Sequence, residues 1–211
     1  MITNKNCIIR LSRYKNALYR LEALGFVKVF SDNLADAIGS TATQVRKDFS
    51  LFGISGNKKG GYEVKALLDK LNTILGKDEV QNVIVVGAGH IASALVNYKG
   101  FEKEGIKIVA AFEIDSAKYN KNSRVPVLPM DELNNFVKAR GIKIGIIAVP
   151  DIAAQQAADL MFGAGIRGIL NFAPIRLRTP NDECVVNNVN LVGELENVIY
   201  FTREARRGNT A

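Results

Sequence analysis

The chain has 211 residues, 47% hydrophobic and 23% charged, which suits a globular protein of one large or two small domains. No apolar run approaches the roughly 20 residues of a membrane span, and residues 1–10 carry no apolar core followed by a small-residue cleavage site, so a cytoplasmic protein is expected. With one histidine (His90) and two distant cysteines (Cys7 and Cys184), the sequence offers no basis for a metal or haem centre.

The net charge of +7 is not evenly spread. Residues 1–77 hold 13 Lys+Arg against 6 Asp+Glu, whereas residues 78–211 hold 15 of each. The whole excess lies in the first third, which points that part toward a polyanion; a merely solvated basic surface is the bland alternative.

The first third reads as helices. Leu11, Tyr14, Leu18 and Leu21 fall at helical spacing and Gly25 closes the segment. Ser31 is the expected N-cap of a short helix carrying Leu34, Ala35 and Ile38, stopped at Gly39. The next helix begins at Thr41, where Thr-Ala-Thr-Gln matches a capping box closed by Gln44. Two short helices joined by a Gly-containing turn form the helix-turn-helix pattern. The glycines and paired lysines of residues 53–62 suit a hairpin loop, or wing. Helical spacing resumes over residues 63–75, and Gly76-Lys77-Asp78 marks a domain boundary.

From Asn82 the pattern changes. Strands are expected at residues 83–86, 107–112, 142–149 and 168–170, with helices near 90–98, 131–140 and 153–162. This alternation predicts an α/β architecture with a parallel, Rossmann-type sheet. Residues 191–207 read as a last helix with Leu195, Val198 and Ile199 on its apolar side. The division expected is a winged helix-turn-helix domain over 1–77, a Rossmann-type domain over 78–190 and a C-terminal helix over 191–211.

Two constellations carry chemistry. In the helix over 41–52, Ala42, Val45, Phe49 and Phe52 fill an arc of about 80°, a buried face, while Thr43, Arg46, Lys47 and Ser50 cluster within about 100° on the other side. Hydroxyls and cations on one face are what bond phosphates and base edges in a major groove. Arg46 suits guanine; Gln44 suits adenine, unless capping occupies it. Lys58 and Lys59 in the wing would meet phosphates. The second constellation is the strand–Gly-x-Gly-x-x-Ala–helix run, with Gly87, Ala88, Gly89, His90, Ile91 and Ala92. Gly87 permits the tight turn, Gly89 lets backbone approach a pyrophosphate, and Ala92 lets the helix lie on the strand. Glu113, 26 residues after Gly87, is placed to accept ribose hydroxyls and repel a 2′-phosphate, favouring NAD(H) over NADP(H); Asp115 competes for that job. Val149-Pro150 and Asn171-Phe172-Ala173-Pro174, at the carboxyl ends of strands, are expected near the nicotinamide half. The glycine loop makes His90 a neighbour of the phosphates rather than a catalyst.

These residues together resemble a known family, the redox-sensing transcriptional repressors called Rex. The resemblance runs through Arg10-Leu11 with Tyr14, Gln44-Val-Arg-Lys-Asp48, Phe52-Gly53, Gly60-Gly-Tyr62, Gly87-Ala-Gly89, Tyr98, Ala148-Val-Pro150 and Gly165-Ile-Arg-Gly-Ile-Leu-Asn-Phe-Ala-Pro174. It implies a homodimer on palindromic operator DNA, a C-terminal helix exchanged between subunits, release from DNA by NADH and binding favoured by NAD⁺, with NAD(H) as effector. His90, Ala92 and Glu113 depart from the family pattern. So do Asn190, where the family has a carboxylate, and Asn16, at the position of its basic partner; with Tyr98 these form the implied switch. Losing both charges predicts a weakened or altered response, since a ligand shifts an equilibrium only through differential contacts. The rival readings are a small NAD-dependent dehydrogenase, for which too little chain remains to build a substrate domain, and a sensor of another nucleotide.

Overall fold

The computed structural model describes residues 4–57 and 60–208. The chain divides into two compact units, Met1–Val80 and Gln81–Ala211.

Among its described residues the first unit packs four helices and a two-stranded antiparallel ribbon: α1 (Lys5–Ala23), β1 (Lys28–Val29), α2 (Ser31–Ile38), α3 (Ala42–Leu51), β2 (Tyr62–Glu63) and α4 (Val64–Ile74). Its core gathers Leu11, Tyr14 and Leu18 from α1, Leu34 from α2, Val45 and Phe49 from α3, and Leu67, Leu68 and Leu71 from α4. Each such side chain, fully buried, contributes roughly 1.5–3 kcal/mol. Phe49 is the hinge of the packing, meeting the Tyr14 ring edge-on at 5.3 Å and the Tyr62 ring at 5.2 Å. β1 and β2 pair antiparallel, and an isolated bridge between Asn57 and Gly61 closes the wing above them. The two-residue β1 was not visible as a strand in the sequence, being too short for any periodicity.

Ser31 does not cap α2. It is the first helical residue and is buried, while Phe30 holds the cap position and its N–H donates to Asn33 Oδ1 at 2.9 Å. The signal lay one residue off because the capping oxygen comes from inside the helix. Thr41 does cap α3, its Oγ1 accepting from the Gln44 N–H at 3.1 Å. Gln44 does not complete the box, because its side chain turns to Asp48 instead.

The second unit begins with β3 (Gln81–Val86), followed by α5 (His90–Val96), α6 (Gly100–Lys103), β4 (Ile106–Glu113), β5 (Val127–Pro129), α7 (Leu133–Arg140), β6 (Ile144–Ile147), α8 (Asp151–Ala164), β7 (Gly168–Asn171), β8 (Val185–Asn188) and α9 (Leu191–Gly208). The six strands run parallel in the order β5-β4-β3-β6-β7-β8. Counted from β3, that is the doubly wound order, whose direction of winding reverses at β3 and opens a crevice at the carboxyl ends of β3 and β6. Strand β3 is buried from Val83 onward, as a central parallel strand must be. One core on one face holds Ile84, Phe112, Ile147 and Met161; the other face packs Val83, Val85, Ala92 and Ile146. The short edge strands β5 and β8 and the four-residue α6 went unread in the sequence.

Candidate functional site

In the first unit, α3 turns Val45, Asp48 and Phe49 inward and leaves Thr43, Arg46, Lys47 and Ser50 exposed. Arg46 Nη2 rests against Thr43 Oγ1 at 3.3 Å, one turn away, so the guanidinium lies along the outer face. Lys58 and Lys59 lie outside the described residues. At the root of the wing, Gly61 has φ +65°, and a Cβ there would stand 2.5 Å from the Val29 carbonyl oxygen. Lys70 Nζ on α4 donates to the Gly53 carbonyl at 2.8 Å, tying down the wing's other end.

What the periodicity missed is Asp48. Helical spacing alone gave it no role, yet it is 1% exposed and forms the polar centre of the unit. Arg10 of α1 donates to it twice, from Nε at 2.6 Å and from Nη2 at 2.7 Å, and Tyr14 Oη donates at 3.0 Å. Burial alone would raise the Asp48 carboxyl, but hydrogen bonds from Arg10, Gln44, Cys7 and Tyr14 outweigh it and hold the group below its ordinary range. The same burial and the Asp48 bond push the Tyr14 phenol up to about 12. Helix α3 is thus fastened to α1 by charge as well as by packing.

In the second unit, the Gly-x-Gly-x-x-Ala run forms the turn from β3 into α5. Gly87 is buried at φ +103°, and a Cβ there would run into the Ala148 carbonyl at the end of β6. Only glycine fits. Gly89 is different: its φ is −84°, and a Cβ would meet nothing within 4 Å. No contact within the protein requires glycine at that position, so the space it leaves suits an approaching ligand. Ala92 is on the buried side of α5, and His90 and Ile91 are exposed on the same first turn.

Glu113 ends β4 beside this turn with 8% exposure. Its Oε2 accepts from the Ala88 N–H at 2.9 Å, and its Oε1 from the N–H groups of Ile114 at 2.8 Å and Asp115 at 3.1 Å. Lys118 Nζ stands 3.5 Å from Oε2 and 3.8 Å from Asp115 Oδ2. Burial raises this carboxyl, and the three backbone donors together with Lys118 more than reverse it, so Glu113 is held ionised. Inside the protein, then, it clamps the glycine turn to the end of β4, a task the sequence spacing did not reveal. Asp115 is exposed and accepts from the Ala117 N–H at 3.0 Å. A cleft of 360 Å³ opens beside Ala88, lined by Ala92, Ala111, Val125, Asn97 and Lys118.

The second carboxyl-end segment is tied closely to the protein. Asn171 is fully buried, donating from Nδ2 to the carbonyls of Ala173 and Ile175 and to Asn188 Oδ1, and accepting from the Ala173 N–H. It staples β7, β8 and the loop after β7. Ala173 is buried as well, at 4% exposure; Phe172 is half-buried and Pro174 exposed. A buried polar residue must find partners, and Asn171 found them in the backbone. Val149 is half-buried and Pro150 exposed at the start of α8. Tyr98 is exposed just beyond α5, its ring edge-on to Phe101 at 5.1 Å. Asn16 is exposed on α1, and Asn190 caps α9, its Oδ1 accepting from the Gly193 N–H at 3.0 Å.

Comparison with known proteins covers both units. A family described as "Putative DNA-binding protein N-terminus" matches residues 5–50, and one described as "CoA binding domain" matches residues 78–175. The redox-sensing transcriptional repressor Rex of Desulforamulus reducens is 44% identical over 190 residues, covering 90% of each chain. The chain belongs to the Rex family. Rex of Carboxydothermus hydrogenoformans is 43% identical over 197 residues (93% of this chain, 94% of that one), and Rex of Clostridium botulinum strain Eklund 17B is 38% identical over 211 residues (98% and 100%). Among solved structures, the Rex-family repressor RSP in complex with beta-NAD+ and operator DNA matches with a TM-score of 0.91 and 34% identity, covering 100% of this chain and 97% of that one. RSP in complex with beta-NADH matches with a TM-score of 0.87 at the same identity, covering 100% and 99%.

Proposed function

We propose that this Rex-family chain is a transcriptional repressor that reads the ratio of NADH to NAD⁺, gripping operator DNA through α3 and the wing and letting go when NADH binds. One observation carries this reading. A single chain joins a helix with outward cations to a glycine turn with unfilled space at Gly89, and RSP, similar over the whole length, was solved with both operator DNA and the dinucleotide.

Gly87, Ala88 and Gly89 with the first residues of α5 would receive the pyrophosphate, Glu113 or Asp115 the adenosine ribose, and Val149 and Pro150 the nicotinamide half. The dinucleotide supplies a signal by binding and is not turned over. Thr43, Arg46, Lys47 and Ser50 would meet phosphates and base edges, and Lys58 and Lys59 phosphates. Homodimerisation through α9 is supported by its apolar side: Leu195, Val198, Ile199 and Phe201 are each more than half exposed in the single chain. A helix that apolar needs a partner surface, and a second copy exchanging the same helix offers one.

Asn190 favours a variant of this reading. Its side chain caps α9 as a neutral amide, and Asn16 is neutral too, so the redox response would be weaker than in family members with charges at both places. Operator affinity measured at several NADH/NAD⁺ ratios tests both statements. A chain that binds operator equally at every ratio would overturn redox sensing, and a sharp, complete release by NADH would overturn the weakened response alone.

A further inference from the structure

The orientation of Gln44 is decided by a residue that never reaches solvent. Asp48 stands one turn further along α3 with its carboxylate buried. Gln44 Nε2 donates to its Oδ1 at 2.8 Å, while Arg10 Nη2 at 2.7 Å and Cys7 Sγ at 3.4 Å meet the same oxygen. Arg10 Nε and Tyr14 Oη occupy Oδ2. An ionised carboxylate only accepts hydrogen bonds, so the end of the amide that faces it must be the NH₂. The flip of this glutamine is therefore fixed by its neighbour's chemistry: nitrogen inward, carbonyl oxygen outward. One N–H and the oxygen remain for a ligand.

On a free helix surface a glutamine samples both flips and many rotamers, and ordering it on binding costs conformational entropy. Here Asp48 has already ordered it. The carboxylate is itself immobilised by three side chains of α1, so Gln44 is braced through Asp48 against the neighbouring helix. Its place beside the exposed Thr43, Arg46 and Lys47 puts the amide at the edge of the face that α3 presents.

We propose that Asp48 is a positioning residue for base readout: by holding the NH₂ of Gln44 it turns the carbonyl oxygen outward, so that α3 selects a base edge carrying an amino group at one base pair of each half-site. Adenine fits best, because its 6-amino group meets the oxygen while N7 accepts the remaining N–H. This rests on α3 being the DNA-reading helix proposed above.

The test is a single-substitution scan of an operator half-site, with affinities measured for wild type, Gln44→Ala, Asp48→Asn and the double variant. Wild type should prefer adenine at one base pair, and Gln44→Ala should lose that preference there by about 5- to 150-fold, the range set by one bidentate contact. Asp48→Asn should flatten the same base pair, and the double variant should add nothing further. Gln44→Glu, acceptor-only and repelled by Asp48, should move the preference toward cytosine. Damage to the fold would weaken binding to all sequences alike, which separates positioning from structural loss. Should Asp48→Asn fail to fold, the wild-type Gln44 side-chain amide answers by NMR: two resolved protons, one shifted downfield and protected from exchange, are expected. An averaged, unprotected pair overturns the proposal, as does an unchanged profile in Gln44→Ala or additive losses in the double variant. If wild type does not distinguish operator from scrambled DNA, the DNA-reading role of α3 fails, a different result from any of these.

Discussion

The two units solve the same problem, holding an anion, by opposite means. The first presents side chains: Arg46 and Lys47 stand out from α3, and the net charge of +7 in residues 1–77 surrounds them. The second, where residues 78–211 balance to zero, offers a glycine turn instead: the positive φ and the Ala148 carbonyl demand glycine at Gly87, and Gly89 leaves open space beside its backbone. Their buried polar groups differ in the same way. Asp48 in the first unit is satisfied by side chains of α1 and α3, whereas Glu113 and Asn171 in the second are satisfied chiefly by backbone groups at the carboxyl ends of strands. A side-chain surface is destroyed by deleting atoms; a backbone cradle is destroyed by adding them.

That contrast can be broken by experiment. Replacing Arg46 and Lys47 together by Ala should weaken operator binding by about 100-fold or more, since it removes a potential bidentate contact and a phosphate charge. Affinity for NADH, read by its fluorescence, should not move; if both fall, α3 serves folding and the separation of roles is wrong. Gly89→Ala should do the reverse. Its Cβ enters space the protein leaves open, so operator binding by the ligand-free chain should hold and melting temperature should fall only slightly, from the weaker N-cap, while NADH affinity drops by about tenfold, equivalent to 1.4 kcal/mol of lost contact. Gly87→Ala, by contrast, should lower the melting temperature, because its Cβ would meet the Ala148 carbonyl and its φ is positive.

Asp48→Ala should destabilise the first unit by about 3 kcal/mol, the lower end for a broken buried pair because the Arg10 side chain keeps 25% exposure; urea unfolding measures it. Acid sharpens the comparison further. Asp48 and Glu113 are both held below their ordinary range, so each contributes stability that is complete above about pH 5 and lost as pH falls through its folded value. Asp48→Asn should flatten the acid limb of unfolding in the first unit and Glu113→Gln that in the second. A limb unchanged in both variants would assign acid sensitivity to other carboxylates. The smallest effect belongs to Lys58→Ala, which should reduce the slope of log affinity against log salt by about 1 without altering sequence preference.

Legibility followed the range of the interactions involved. The glycine turn could be read because Gly87, Gly89 and Ala92 are close in sequence and match the spacing of a strand–turn–helix dinucleotide fingerprint. The outward face of α3 could be read because helical periodicity sorts residues by itself. The bonding of Asn171 was out of view because Asn188 is brought to it by the strand β8, whose four residues carry no pattern, and the 173–175 backbone by the turn of the loop after β7. Glu113 was placed at the correct strand end, but its three backbone donors were out of view.

By itself, then, the sequence determined the alternation of elements, the glycine turn and the cationic face of α3, all set by residues a few positions apart. Only tertiary structure decided that Asp48 joins α3 to α1 across 38 residues, that Gln44 turns its nitrogen inward, and that Asn171 faces the protein. Buried polar groups take their partners from wherever the fold delivers them, and no spacing rule records that.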